Sequence, residues 1–327
     1  MSPTAATPSD APDTPDFADG LAPHAPTSPP APRVPQVLRG VRVLSLALNL
    51  PGPAALMRLA AMGAHCVKVD PPGGDPMALY SPAFHALMHR GIEVCQIDLK
   101  QPEGRAALQR RLADTDVLLT SSRPSALARL GLDSARLAEA HPQLAWVAIV
   151  GEYAPLDDVP GHDLTYQAEA GLVDGQLPPT LAADMGGSLL AVEAVLQAVL
   201  VQRQPVGAGE APPAGLHLSV ALAEAARYAA LPHAHGLTAP GGLLGGLHPG
   251  YQVLPCQDGW VALAALEPHF LAGWQRCIGS EFDARGAFSG LPALIDAGRA
   301  WCATRPAAQL NQLARELDLP LLAWPQR

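Results

Sequence analysis

Residues able to move a proton stand at loop–helix junctions in three places along the chain. These are Gly161-His162-Asp163, the stretch Asp184-Met185-Gly186-Gly187-Ser188, and Glu267-Pro268. Imidazole and carboxylate groups are the common carriers of general acid–base chemistry. A base on one face of a carbon and an acid on the other can invert its configuration. A carboxylate can instead attack as a nucleophile and form a covalent intermediate. Each residue also has a structural use. Asp184 stands just before Met185 and a long apolar run, and aspartate is a favoured helix N-cap. Glu267 precedes a proline of the kind tolerated in a first helical turn. His162 is one of eleven histidines, so its type alone says little. Asp163 reads as support for the turn. Gly245-Gly246 suits a flexible loop at a site and an ordinary turn equally well.

These residues need a scaffold, and the chain alternates short apolar strands with helices. Val41 to Leu48 reads as a strand, ending in Asn49-Leu50-Pro51-Gly52-Pro53, and Ala54 to Met62 as a helix stopped by Gly63. Cys66 to Val69 and Glu93 to Leu99 read as strands, with the turn Pro71-Pro72-Gly73-Gly74-Asp75 between them. Pro102 to Leu112 reads as a helix, then Val117 to Thr120 and Trp146 to Val150 as strands. Such alternation implies a mostly parallel sheet covered on both faces. A helix is expected from Met185 to about Gln202, a strand and helix from His217 to Tyr228, and a strand from Trp260 to Leu266. The expected organisation is a Pro-rich disordered tail over 1–36, a large α/β domain over 37–235, and a smaller α+β domain over 236–327. No G-x-G-x-x-G follows the first strand, which counts against a nicotinamide-dependent dehydrogenase.

Composition narrows the functional classes. A net charge of −9 over 327 residues argues against nucleic-acid binding, which needs clustered Lys and Arg. Cys66, Cys95, Cys256, Cys277 and Cys302 form no C-x-x-C pair, so reduced thiols in a cytoplasmic protein are expected and no metal site is indicated. Residues 1–36 carry ten prolines and four aspartates, unlike a targeting signal. The most apolar segment, Leu189 to Val201, is short and contains Glu193 and Gln197, so it reads as a buried helix with no membrane role.

Gly161-His162-Asp163-Leu164-Thr165-Tyr166, the Asp184 stretch and Ala265-Leu266-Glu267-Pro268-His269-Phe270 together resemble the alpha-methylacyl-CoA racemases, which belong to the family III CoA-transferases. Leu38 to Leu44 with Pro51-Gly52-Pro53, Met62 to Asp70, Ile97-Asp98-Leu99-Lys100, and Arg123-Pro124 through Gly131 extend the resemblance over most of residues 37 to 325. One departure is Arg90-Gly91-Ile92-Glu93, where relatives usually carry Arg-Gly-Lys-Arg. Another is Gly151-Glu152-Tyr153-Ala154-Pro155, which is poorer in glycine than the family's loop.

The resemblance implies a Rossmann-like large domain, a smaller domain and an interlocked homodimer. It makes Asp184, His162 and Glu267 catalytic, with Glu267 orienting the imidazole, and Lys100, Arg123 and Arg129 contacts for coenzyme A. The expected substrate is an acyl-CoA, with coenzyme A belonging to the substrate and no separate cofactor. The leading expectation is epimerisation at the α-carbon of a 2-methyl-branched acyl-CoA. One alternative is CoA transfer between carboxylic acids through a covalent Asp184 intermediate, in which His162 would have no necessary role. The other is a non-catalytic acyl-CoA binding protein.

Overall fold

The computed structural model describes residues 34–204, 214–279 and 291–326. The expected tail over 1–36 therefore lies almost wholly outside the described residues. From Gln36 onward the chain forms one compact unit containing two sheets.

The first part of that unit runs β1 (Arg42–Ser45), α1 (Pro51–Ala61), β2 (His65–Asp70), α2 (Met77–Tyr80), α3 (Pro82–Met88), β3 (Glu93–Gln96), α4 (Pro102–Leu112), β4 (Val117–Thr120), α5 (Pro124–Arg129), α6 (Ser134–Ala140), β5 (Ala145–Val150), α7 (Asp163–Glu169), α8 (Ala182–Gln202), β6 (His217–Ala221) and α9 (Leu222–Ala234). Its strands make an all-parallel sheet in the order β3-β2-β1-β4-β5-β6. Successive strand residues point to opposite faces, and each face has its own core. Val43, Val117, Val147 and Ile149 pack with Leu56 and Leu59 of α1 and Ala191 and Val195 of α8. Leu44, Leu118, Trp146 and Ala148 pack with Leu108 and Leu112 of α4, Leu127 of α5 and Leu137 of α6. Strands buried on both sides read as continuous apolar runs, which is why Val117-Leu118-Leu119 and Trp146 to Val150 were legible.

The second part holds β7 (Tyr251–Cys256), β8 (Gly259–Ala264), α10 (Pro268–Ile278), α11 (Leu291–Ala303), α12 (Ala307–Glu316) and β9 (Leu321–Pro325). The strands form an antiparallel sheet, β7-β8-β9, over a core containing Leu254, Val261, Trp274, Cys302 and Leu310.

Several boundaries differ from the sequence expectation. β1 stops at Ser45, not Leu48, because the Leu46 N–H makes a last bond to the Leu119 carbonyl and Asn49 then turns with φ +65°. β3 ends at Gln96: the Ile97 N–H reaches back to Asp70, and the Asp98 side chain accepts the Lys100 N–H. α1 begins at Pro51, since prolines at its first positions lose no helical hydrogen bond. α8 begins at Ala182, three residues before Met185. It is long and apolar enough to cross a membrane by length and composition. Its buried stripe from Ala183 to Val199 instead packs between α1, α9 and β5. Gly245-Gly246 lies in a tight turn, where Gly246 has φ +111° and a side chain on Gly245 would overlap the Ala239 carbonyl.

Candidate active site

Parallel sheets of this order leave a crevice at the carboxyl ends of their strands where the strand order reverses, here between β1 and β4. A cavity of about 400 Å³ occupies that place. Leu48 and Asn49 wall it after β1, Ser121, Ser122 and Arg123 after β4, and Gly151 after β5. Gly161, His162, Tyr166 and Asp184 close it from the side of α7 and α8. His162 and Asp184 are thereby brought to one cavity from positions 22 residues apart in the sequence.

Asp184 is the third residue of α8, not its N-cap, and Leu181 holds the cap position without a side-chain bond. Buried Asp163 does the capping work instead. Its Oδ1 accepts the Asp184 N–H at 2.9 Å, and its Oδ2 accepts a bond from Gln167 Nε2 at 2.5 Å. Gln167 also donates to the Thr180 carbonyl, which ties α7 to the residue before the α8 turn. The expected turn-supporting role of Asp163 is thus a tertiary one.

Burial pushes the Asp184 carboxyl up to about 7, with the nearby Asp163 charge adding to the shift. The start of a helix favours a negative charge by some tenths of a kcal/mol, roughly 0.3–1. Here desolvation and like-charge repulsion outweigh it. A carboxyl in this range can both take and give a proton near neutral pH.

His162 caps α7 through its backbone. Its carbonyl accepts from the Thr165 hydroxyl at 2.7 Å, and its N–H donates to the same oxygen at 3.1 Å. The imidazole is exposed at the cavity wall. Tyr166 was missed by sequence reasoning. Its ring is buried, its hydroxyl lies against Gly151 and Gly161, and burial followed by the Asp184 charge raises its pKa. The signal was present in the two glycines flanking the loop, which leave room for that phenol.

A second hollow, of about 450 Å³, shares Leu48 and Ser122 as walls and is lined by Val69, Ile97, Leu99, Leu130 and Lys100. The two hollows adjoin at Leu48 and Ser122, with Arg123 on the wall of the first and Lys100 on the wall of the second. Arg123 Nη1 makes a long 3.5 Å bond to the Asp158 carbonyl, so its charge remains largely available. Arg129 is exposed at the end of α5 and lines neither hollow. Glu267 is the exposed N-cap of α10, stands outside the cavity wall, and has no side-chain partner among the described residues.

Residues 38–323 match the profile described as CoA-transferase family III. The chain belongs to that family. The succinate–glutarate CoA-transferase of Agrobacterium fabrum is 31% identical over 257 residues, 69% of this chain and 62% of that protein. The mouse alpha-methylacyl-CoA racemase is 30% identical over 257 residues, 75% of this chain and 65% of that protein. The chain thus spans less than two thirds of the length of these family members. Among solved structures, the Mycobacterium tuberculosis protein Rv3272 superposes with a TM-score of 0.73 at 23% identity, covering 89% of this chain and 86% of that one. A CaiB/BaiF family protein from Brucella suis gives 0.72 at 22% identity, covering 89% and 84%. These neighbours establish a shared fold.

Proposed function

We propose that the protein inverts configuration at the α-carbon of a 2-methyl-branched acyl-CoA. The observation that carries this reading is the meeting of His162 with Asp184, a carboxyl poised near 7, at one cavity. A thioester acidifies its α-proton. One of the two groups takes that proton, and the other returns one to the opposite face of the planar enolate. Efficient general acid–base groups have pKa values near the working pH. The enolate oxygen needs donors already in place. The Asp184 N–H is committed to Asp163 and the Asn49 N–H to Asp75, so the Asn49 side-chain amide and the Ser121, Ser122 and Tyr166 hydroxyls are the available candidates. Coenzyme A belongs to the substrate, and proton transfer needs no further cofactor. The adjoining hollow with Lys100, together with Arg123, suits the nucleotide end. Arg129, exposed beyond both hollows, fits at most a contact with the outermost phosphate.

Glu267 can serve His162 if a second copy in a homodimer brings its α10 start over the cavity. Mass in solution tests this. A monomer at micromolar concentration by light scattering removes Glu267 from the scheme unless the chain itself closes.

The second reading is CoA transfer between acids, with Asp184 as nucleophile. It is supported by relatives named as CoA-transferases, including the Agrobacterium enzyme. The two differ in one experiment. Incubation with a 2-methylacyl-CoA in deuterated water, followed by mass, shows α-deuterium uptake without any acceptor acid if the racemase reading holds. In His162→Ala, net epimerisation falls about 10²–10⁴-fold, the usual cost of losing a general acid or base. CoA exchange between acids that is intact in His162→Ala, with no α-exchange in the unmodified protein, selects the transferase. Neither activity leaves a binding protein.

A further inference from the structure

A cluster unrelated to the proton chemistry lies where α2 and α3 meet β2. Lys68 is fully buried and bonds Asp75 Oδ2 at 2.7 Å and also Asp70. Asp75 is 2% exposed, and its Oδ1 accepts the N–H groups of Asn49 and Met77, each at 3.0 Å. One ammonium thus faces two carboxylates, leaving a buried excess of one negative charge. On the other side of Asp75 stand His85, in the last turn of α3, and His89, its C-cap. The His89 Nδ1 is within 2.7 Å of the His85 carbonyl. A carbonyl only accepts, so Nδ1 carries the proton and Nε2 presents its lone pair. His89 is 9% exposed, and the Nε2 atoms of both His85 and His89 are buried without any hydrogen-bond partner. Buried polar atoms seldom go unpartnered, and two adjacent ones beside a carboxylate ask for an explanation.

One ring nitrogen from each histidine and one carboxylate oxygen of Asp75 lie within 4.8 Å of one another. We propose that Asp75, His85 and His89 form a binding site for a divalent transition-metal ion of the zinc type. Two imidazoles and one carboxylate are ligands that zinc takes readily, with a fourth position left for water. Tetrahedral ligand atoms stand about 3.4 Å apart for bonds near 2.05 Å, so small side-chain rotations close the set. The His85 carbonyl on His89 Nδ1 is the outer partner that orients a metal-bound imidazole. A divalent charge also answers the surplus negative charge of the Lys68 cluster. The role is structural: Asp75 holds the N–H of Asn49, so the ion braces the loop that walls the catalytic cavity.

The test uses the full chain without a polyhistidine tag, stripped with EDTA and dialysed against a small excess of zinc chloride. Metal per chain is then read by mass spectrometry. Wild type is expected to retain one equivalent more than the double variant His85→Gln/His89→Gln. Equal retention in both overturns the site. Asp75 is left unaltered in this test because its loss would strand Lys68. Should the double variant fail to fold by circular dichroism, cobalt(II) loading of the wild type decides alone. Intense visible absorption of a four-coordinate ion supports the site, whereas the weak spectrum of the hydrated ion overturns it.

Discussion

The backbone N–H of Asp184 donates to the carboxylate of Asp163 at 2.9 Å, so one acid fixes the position of the other and also repels its charge. The geometry could have been used to lower the pKa of Asp184, since the residue sits in a helix's first turn. Burial and Asp163 reverse the outcome. An acid that stabilises the helix start is placed so that its neighbour stays near its titration point.

That relation has a consequence for stability. The Asp184 carboxyl sits at about 7 in the folded chain, above the ordinary carboxylate value of an unfolded one. Its contribution is therefore fully present below about pH 4 and is lost as pH rises towards about 7. Asp184→Asn has no such loss. The variant should match wild type in acid and exceed it at pH 8, by at most about 4 kcal/mol. Urea unfolding of both proteins at the two pH values checks this. A variant less stable than wild type at pH 8 contradicts the assignment.

Asp163 itself should separate its two effects by substitution. Asp163→Asn keeps an acceptor for the Asp184 N–H but removes the charge, so the Asp184 pKa should fall while burial still holds it above the usual range. Carboxyl carbon chemical shifts followed through a pH titration read this directly. Asp163→Ala also leaves the Asp184 N–H and the Gln167 amide without their partner. It should cost about 1–3 kcal/mol in unfolding free energy.

The sequence made the parallel sheet and the His162–Asp184 cavity legible, for different reasons. Strands such as Val117–Thr120 are buried on both faces, so apolar runs mark them without any need for partners. His162 and Asp184 came from motif wording, which carries family information that spacing does not. What stayed hidden depends on tertiary contact. The start of α8 at Ala182 needs Asp163 as its cap, and no local pattern links residues 21 apart. Edge and half-exposed strands such as Tyr251–Cys256 mix Tyr, Gln and Pro and lack a clean alternation. Tyr166 was passed over because a tyrosine in a helix is ordinary until its neighbours are known. In the Asp75–His85–His89 cluster the two histidines stand four apart, a spacing zinc pairs use, but Asp75 lies ten residues before His85 across a turn and a short helix, so no local pattern joins the three.

Lys68 supplies a prediction about the walls of the site. Removing one member of a buried ion cluster leaves uncompensated charge and costs about 3–5 kcal/mol. Lys68→Met would leave Asp70 and Asp75 without the ammonium that bridges them. Its urea midpoint should fall accordingly, and its acyl-CoA affinity should drop because Asp75 also holds the Asn49 N–H at the cavity. A midpoint within experimental error of wild type would show that the cluster is compensated from elsewhere.

Gly151 and Tyr166 allow a test in which one substitution repairs another. A Cβ at residue 151 would overlap the Tyr166 hydroxyl, while the next nearest atom, Cζ, would be 3.1 Å away. The obstruction is thus almost entirely the phenolic oxygen. Gly151→Ala should destabilise by about 1–3 kcal/mol, the usual cost of overpacking a tight site. It should also displace Tyr166 from the cavity and lower turnover. Tyr166→Phe removes the oxygen, so adding it to Gly151→Ala should recover much of the lost stability. The double-mutant cycle should show a coupling of about 0.5–3 kcal/mol, as expected for residues in contact. Turnover separates packing from chemistry. If the Tyr166 hydroxyl only fills space, the double variant regains activity along with stability. If it donates to the enolate, stability returns while kcat remains low and KM for the acyl-CoA recovers. Additive effects on stability, with no coupling, would mean that the Tyr166 hydroxyl does not occupy the place beside Gly151.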